Sequence, residues 1–320
     1  MKKNNPDFIY DDFISDLDHI YSADVTCCEN CFNHFEENWP NIVRHSDDFV
    51  VIDFKNFYEK SRLLREFYDY DFLDKYSHKL TCKRCGCSIV NSRFWIGGFH
   101  FSLPSNFEEF ESDLIELKSD IEKTPYLGLK NDLAKDVYDI ILDQYHKTEP
   151  TKIDYPLFRG RKITTIESKE DFLPPKAEFT NEGRFNHKGI PVAYLANEEN
   201  TCYNELRKPE DNFFVAKFEL NNEFKLLDLN DRDSFDDKSD LLKAIMFSSV
   251  AGSKANDEDT YKPEYYFTRY ISDCCRKAGF DGIIYPSIQI GKGVNYVFFD
   301  TDSFSVEQIT SYRKYKHSNF

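Results

Sequence analysis

The chain has little that would carry it into or across a membrane. No run among its 320 residues approaches the ~20 consecutive apolar residues that a transmembrane helix requires. The N-terminal stretch MKKNNPDFIYDD lacks the apolar segment of a secretory signal, so a soluble cytoplasmic protein without a membrane partner is expected. Internal repeats and low-complexity tracts are also missing, and repeat architectures are therefore not expected. Positive charge is the scarcer sign, with 41 Lys and Arg against 57 Asp and Glu and a net charge of -16. Such acidity repels phosphate backbones, which excludes broad nucleic-acid or anionic-membrane binding and still leaves room for a local basic pocket. The shortage is uneven: residues 1–150 hold 17 basic and 29 acidic side chains, residues 151–320 hold 24 and 28. The second half is the better place for an anionic ligand.

What the chain does have is apolar bulk. It is 40% hydrophobic, with 30 Phe and 20 Tyr, enough to fill the cores of about two domains. The segment SNFEEFESDLIELKSDIEK spaces Phe107, Phe110, Leu114, Leu117 and Ile121 by three and four, which predicts an amphipathic helix over 105–123 capped by Ser105 or Asn106. A second helix is expected over about 127–146, with Leu129, Leu133, Val137, Ile140 and Ile141 on one face. The polar, Pro-bearing KTEPTKIDYP that follows marks the boundary between a domain 1–150 and a domain 151–320.

Beyond Tyr155, PVAYLA, FFVAKFEL, FKLLDL, GIIYPS and NYVFFD read as strands from their β-branched and aromatic content. SDLLKAIMFSSVAG and PEYYFTRYISDCCRKAG read as helices, the latter with Pro263 near its start and Gly279 just past its end. The fold class is α+β with a mostly antiparallel, strongly bent sheet, preceded by a small cysteine-rich, mixed and helical domain.

Nine cysteines, an odd number, without an export signal argue for thiols or metal over a disulfide framework. Two C-x2-C pairs, Cys28 with Cys31 and Cys82 with Cys85, supply a tetrahedral set of four thiolates, and Gly86 suits the tight knuckle after the second pair. A structural zinc is expected there, with Cys27 and Cys87 as rival ligands. Arg93 and His100 have a spacing seen in some helical RNases, but the intervening FWIGGF is a poor helix, and a strand and turn are favoured.

The second half carries a further constellation. LFRGR supplies Arg159, GRF supplies Arg184, and VAYLANEENTCYNE supplies Tyr194 and Glu205; DGIIYPS supplies Ser287, and GKGVNYVFF supplies Asn295. In this order and spacing the pieces resemble the RES-domain toxins, a family named for its arginine, glutamate and serine, over residues 155–305. The resemblance implies a fold like that of the ADP-ribosyltransferases and an enzyme that consumes NAD+ by hydrolysis or phosphorolysis of the nicotinamide–ribose bond. Transfer of ADP-ribose to a protein is the alternative activity. By motif, Arg159, Tyr194, Glu205 and Ser287 match the family's core positions, and Arg184 its second arginine. The resemblance further implies phosphate as a co-substrate and a cognate antitoxin as a partner, while homo-oligomerisation stays open. A non-enzymatic, zinc-bearing interaction module is the reading from a different class.

The residue types fit that chemistry on their own terms. A guanidinium fork can hold a pyrophosphate through paired charge-assisted hydrogen bonds, a task open to Arg159 and Arg184. A fixed carboxylate, Glu205, answers the positive charge that builds on the ribose as an N-glycosidic bond breaks. Tyr194 offers a ring face and a hydroxyl, and Ser287 a short hydroxyl that fixes the substrate without being a nucleophile. Asn197 is expected to cap the helix after PVAYLA, with Glu198 and Glu199 serving its dipole. Arg161, Asn186, His187 and Asn295 are candidate supporting residues, and Cys202 reads as a small buried residue.

Overall fold

The computed structural model describes residues 4–45, 49–97, 107–163, 165–209, 213–230, 240–252, 265–287 and 293–316. His100, the helix-capping pair Ser105 and Asn106, and Pro263 lie outside them. Two compact units result, Met1–Ser112 with Phe247–Gly252, and Asp113–Met246 with Ser253–Phe320. The helix expected over 127–146 thus belongs with the C-terminal unit. Among the described residues no helix is long and apolar enough to cross a membrane.

In the first unit β1 (Asp24–Cys28), β2 (Val50–Asp53) and β3 (Arg93–Gly97) form an antiparallel sheet in the order β1-β3-β2. Helices α1 (Ile9–Tyr21), α2 (Phe32–Asn38), α3 (Pro40–His45), α4 (Phe54–Lys60), α5 (Leu63–Phe67) and α6 (Tyr70–Lys75) surround it in sequence. Spacing of four places Ile9, Phe13 and Leu17 on one face of α1, all fully buried. Phe13 meets Phe57 and Phe94 edge-on, at centroid distances of 5.2 and 5.9 Å, the geometry that aromatic quadrupoles favour. The phenylalanine surplus is spent on such contacts.

The second unit contains most of α7 (Phe107–Lys123), whose Phe110, Leu114, Leu117 and Ile121 are buried at the expected spacing. The next helix, α8, runs Asp132–Lys147 and is capped by the Asn131 side chain on Ala134 N–H. It starts later than the sequence pattern suggests because Pro125–Lys130 forms a 3-10 turn that brings Gly128 against the Tyr270 ring and leaves Leu127 and Leu129 exposed. Leu129 is not part of the buried face.

The remaining elements are β4 (Thr151–Lys152), β5 (Leu157–Arg161), β6 (Ala193–Ala196), α9 (Glu199–Glu205), β7 (Phe213–Phe218), β8 (Glu223–Phe224), β9 (Leu226–Asp228), α10 (Asp240–Phe247), α11 (Ser249–Gly252), α12 (Tyr266–Ala278), β10 (Gly282–Pro286), β11 (Val294–Phe298) and β12 (Ile309–Tyr315). Seven strands make one sheet in the order β12-β7-β5-β6-β11-β10-β9, antiparallel except for β9 beside β10. The fold is α+β and mostly antiparallel.

Strand alternation divides the sheet's side chains between two faces. Leu157, Leu195, Phe214, Ala216, Phe218, Tyr296 and Phe298 join one core. Phe158, Ala196, Phe213 and Val215 join the other, with Cys202, Tyr203 and Leu206 from α9 and the turn after it. Gly160 lets that segment approach closely, since a Cβ there would stand 2.7 Å from Leu206 Cδ1 and 3.2 Å from Cys202 Cβ. Apart from Arg159, the functional candidates of β6, α9 and β11 gather on this second face.

Candidate active site

A cavity of about 300 Å³ opens on the α9 side of the sheet, and Arg184, Tyr194, Glu205 and Asn295 are all on its lining. Glu205 is the last residue of α9 and is exposed. Its Oε1 accepts from Ser287 Oγ at 2.7 Å and from Asn295 Nδ2 at 2.9 Å. Both donors are buried, Ser287 at the end of β10 and Asn295 within β11. Two neutral groups from neighbouring strands therefore fix one carboxylate oxygen, and Glu205 makes no ion pair among the described residues. Its negative charge is oriented without being neutralised.

Tyr194 projects from β6, and its hydroxyl donates to Asn186 Oδ1 at 3.0 Å while accepting from Phe185 N–H at 2.9 Å. Burial raises the phenol well above its ordinary range, so the group remains a neutral hydroxyl. Asn186 in turn donates to the carbonyls of Asn181, His187 and Ile190. A Cβ on Gly183 would come within 2.8 Å of Tyr194 Oη and 2.5 Å of Asn186 Oδ1; only glycine leaves this knot room.

The same loop is held from behind by α12. Arg269 Nε donates to Gly183 O at 2.9 Å, Thr268 Oγ1 to Arg184 O at 2.6 Å, and Ser272 Oγ to Phe185 O at 2.7 Å. Arg269 also pairs with Glu182 at 3.2 Å. Three successive carbonyls are thereby satisfied by one helix, and the Arg184 guanidinium is presented 4.6 Å from the centroid of Tyr265. Thr268→Val should remove one of these bonds and destabilise the fold by about 1–2 kcal/mol. Chemical denaturation of the two proteins checks this, with an unchanged midpoint as the contrary result.

Arg159 is placed differently from the other candidates. It faces the opposite side of β5 from Phe158 and Gly160 and does not line the cavity. Strands β5 and β6 pair only at Phe158 and Ala196, and beyond that point Arg159 Nη1 donates to the Tyr194 carbonyl at 3.2 Å. The guanidinium is buried, its Nε has no partner, and burial together with Arg161 lowers it to about 9. Arg161 itself donates to the carbonyls of Asp171 and Leu173.

Other local expectations shift as well. Asn197 does not cap α9; its Oδ1 accepts from Val294 N–H at 2.9 Å, and Glu198 holds the N-cap position without a side-chain bond. Glu199 accepts from the Tyr315 hydroxyl. His187 meets Asp273 at the surface, 2.9 Å away. Cys202 lines the cavity, and burial pushes its thiol up to about 12, too high for a thiolate nucleophile at neutral pH. Tyr265, Tyr285, Glu182 and Arg207 are also on the wall, beyond the sequence candidates. Their only common sequence signal is proximity to the motif pieces, although Thr268, Arg269 and Ser272 do form a polar stripe on α12.

The first unit brings four sulfurs together. Those of Cys28, Cys31, Cys82 and Cys85 all lie within 4.8 Å of one another, and Cys27 and Cys87 stand outside the group. Cys28 ends β1, and Cys82 to Cys87 form a knuckle closed by Gly86 N–H on Cys82 O and Cys82 N–H on Cys87 O, both 2.8 Å. Gly86 sits at φ 71°, in the left-handed region where a side chain is strained. Within the knuckle Arg84 makes a buried 2.7 Å ion pair with Glu111, which also accepts from Trp39 Nε1 at 2.6 Å. The donor set suits a tetrahedral, thiophilic metal.

Residues 166–317 match the RES domain family. This stretch of the C-terminal unit is similar to the RES domain. The match begins after Arg159, so that residue's assignment rests on the motif resemblance alone. No curated protein matches the chain. Among solved structures, one similar chain is from the crystal structure of the M. tuberculosis MbcT-MbcA toxin-antitoxin complex, at 13% identity and a TM-score of 0.37, covering 56% of this chain and 93% of that one.

Proposed function

We propose that the RES domain cleaves the nicotinamide–ribose bond of NAD+ and acts as the toxin of a toxin–antitoxin pair. The observation that carries the reading is the carboxylate of Glu205, held by Ser287 and Asn295 on a cavity that Arg184 also lines. As the N-glycosidic bond lengthens, the electron pair leaves with nicotinamide and positive charge spreads over the ribose C1 and ring oxygen. A carboxylate oriented in advance stabilises that charge more than it stabilises the ground state. Water or phosphate then closes the ribose C1, giving ADP-ribose and a proton or ADP-ribose 1-phosphate.

In this scheme Arg184 binds the pyrophosphate, Tyr194 shapes the wall while tying down the Arg184 loop, and Ser287 and Asn295 orient Glu205. Arg159 supports Tyr194 through its carbonyl. Residues 151–320 form the catalytic domain, and the first unit holds one structural zinc through Cys28, Cys31, Cys82 and Cys85. The zinc would organise the knuckle and supply no open coordination position for chemistry.

The test is incubation with NAD+ in the presence and absence of phosphate, with products separated by chromatography. Nicotinamide release is expected, and phosphate dependence identifies the acceptor. Labelled ADP-ribose recovered on protein would assign transferase activity instead. Intact NAD+ after prolonged incubation would leave the interaction-module reading in its place.

A further inference from the structure

We infer that Arg207 is a second anion-binding residue of the cavity, acting with Arg184 on the pyrophosphate of an ADP-ribosyl ligand. The inference rests on the NAD+ reading for the identity of the ligand, and on the following geometry for the residue. Two arginines line the cavity, Arg184 and Arg207, while Arg159 does not. They come from separate segments, the loop clamped by α12 and the turn that follows α9. A pyrophosphate has two charged phosphoryl groups, and two planar guanidinium forks satisfy it better than one.

The backbone gives an independent reason to single out Arg207. It lies at φ 61°, and Lys208 follows at 49°, so two successive non-glycine residues occupy the left-handed region. Asn and Gly are the residues that adopt it readily, and an arginine there is strained. The turn is nevertheless closed, by Arg207 N–H on Asn204 O at 2.9 Å and Lys208 N–H on Tyr203 O at 3.0 Å. Strain retained in a residue on a cavity wall is a mark of function. Here it places a cation on the wall two positions after Glu205, the residue assigned to the ribosyl charge.

The experiment titrates ADP-ribose into the full chain by calorimetry, for the wild type, Arg207→Ala and Arg207→Gly, and measures thermal midpoints and NAD+ turnover alongside. Both variants should bind ADP-ribose at least about tenfold more weakly. Arg207→Gly should have a raised thermal midpoint, because glycine relieves the left-handed strain. Turnover should fall through KM, with kcat nearly kept, and release of nicotinamide from nicotinamide riboside, which has no pyrophosphate, should not change. Wild-type affinity in the folded glycine variant would overturn the inference, as would equal losses on NAD+ and on the riboside. If ADP-ribose binds in an Arg207-dependent way but no nicotinamide is released from NAD+, the enzymatic reading falls and the anion site stands.

Discussion

Glu205→Gln should lower nicotinamide release from NAD+ by about a thousandfold, the scale on which removing one preorganised electrostatic group acts. The substitution keeps the shape, and an amide oxygen can still accept from Ser287 and Asn295, whose bonds of 2.7 and 2.9 Å now end on Oε1. What it removes is the charge. Fold and substrate binding should therefore persist: the thermal midpoint should stay close to that of the wild type, and KM should move much less than kcat. Ser287→Ala and Asn295→Ala should each give a smaller fall, because each removes one of two supports and leaves the carboxylate in place. Turnover by Glu205→Gln within a few-fold of the wild type would eliminate the assigned chemistry.

Removal of metal from the first unit should have the second large effect. Purified protein should contain about one zinc per chain, and a strong chelator should unfold the first unit, since structural zinc contributes on the order of 10 kcal/mol at neutral pH. Cys28 and Cys82 belong to the unit's apolar core together with Phe54, Phe57 and Phe94, so the sulfurs and the rings order one another. Arg84 adds to the cost of metal loss: if the knuckle opens, Glu111 is left as a buried charge without its 2.7 Å partner. Cys82→Ser should lose the metal and the cooperative unfolding of this unit, whereas Cys87→Ser should keep both, its sulfur being outside the group. Elemental analysis and near-ultraviolet circular dichroism read the two outcomes. A metal-free wild type with intact near-ultraviolet signal would end the proposal.

Much of this arrangement was legible in the residues themselves. The C-x2-C pairs announce their own geometry, because a two-residue spacing turns both sulfurs to one point. Glu205, Ser287, Asn295, Tyr194 and Arg184 could be picked out by type and order, and they meet around one cavity or one carboxylate. Arg159 could not be placed, because alternation along LFRGR puts it on the Leu157 face of β5 but nothing in that segment encodes which face α9 and the cavity will cover. The start of α8 was obscured for a similar reason: Leu127 and Leu129 have helical spacing, but the contact of Gly128 with Tyr270 decides the backbone there. Thr268, Arg269 and Ser272 escaped notice because their acceptors are carbonyls some 85 positions earlier, and main-chain acceptors have no sequence signature.

The grip of α12 on the 183–185 carbonyls has a mechanical consequence. The helix ends at Gly279 and leads, after Phe280 and Asp281, directly into β10 and on to Ser287. One continuous piece of chain thus holds the Arg184 loop by its side chains and carries Ser287 at its far end. The Arg184 loop on the cavity wall and the Ser287 support of Glu205 are tied to the same segment. The Glu205 side of the cavity belongs to a different segment, α9 and the turn after it, and is joined to this one through the Ser287 and Asn295 hydrogen bonds on its carboxylate.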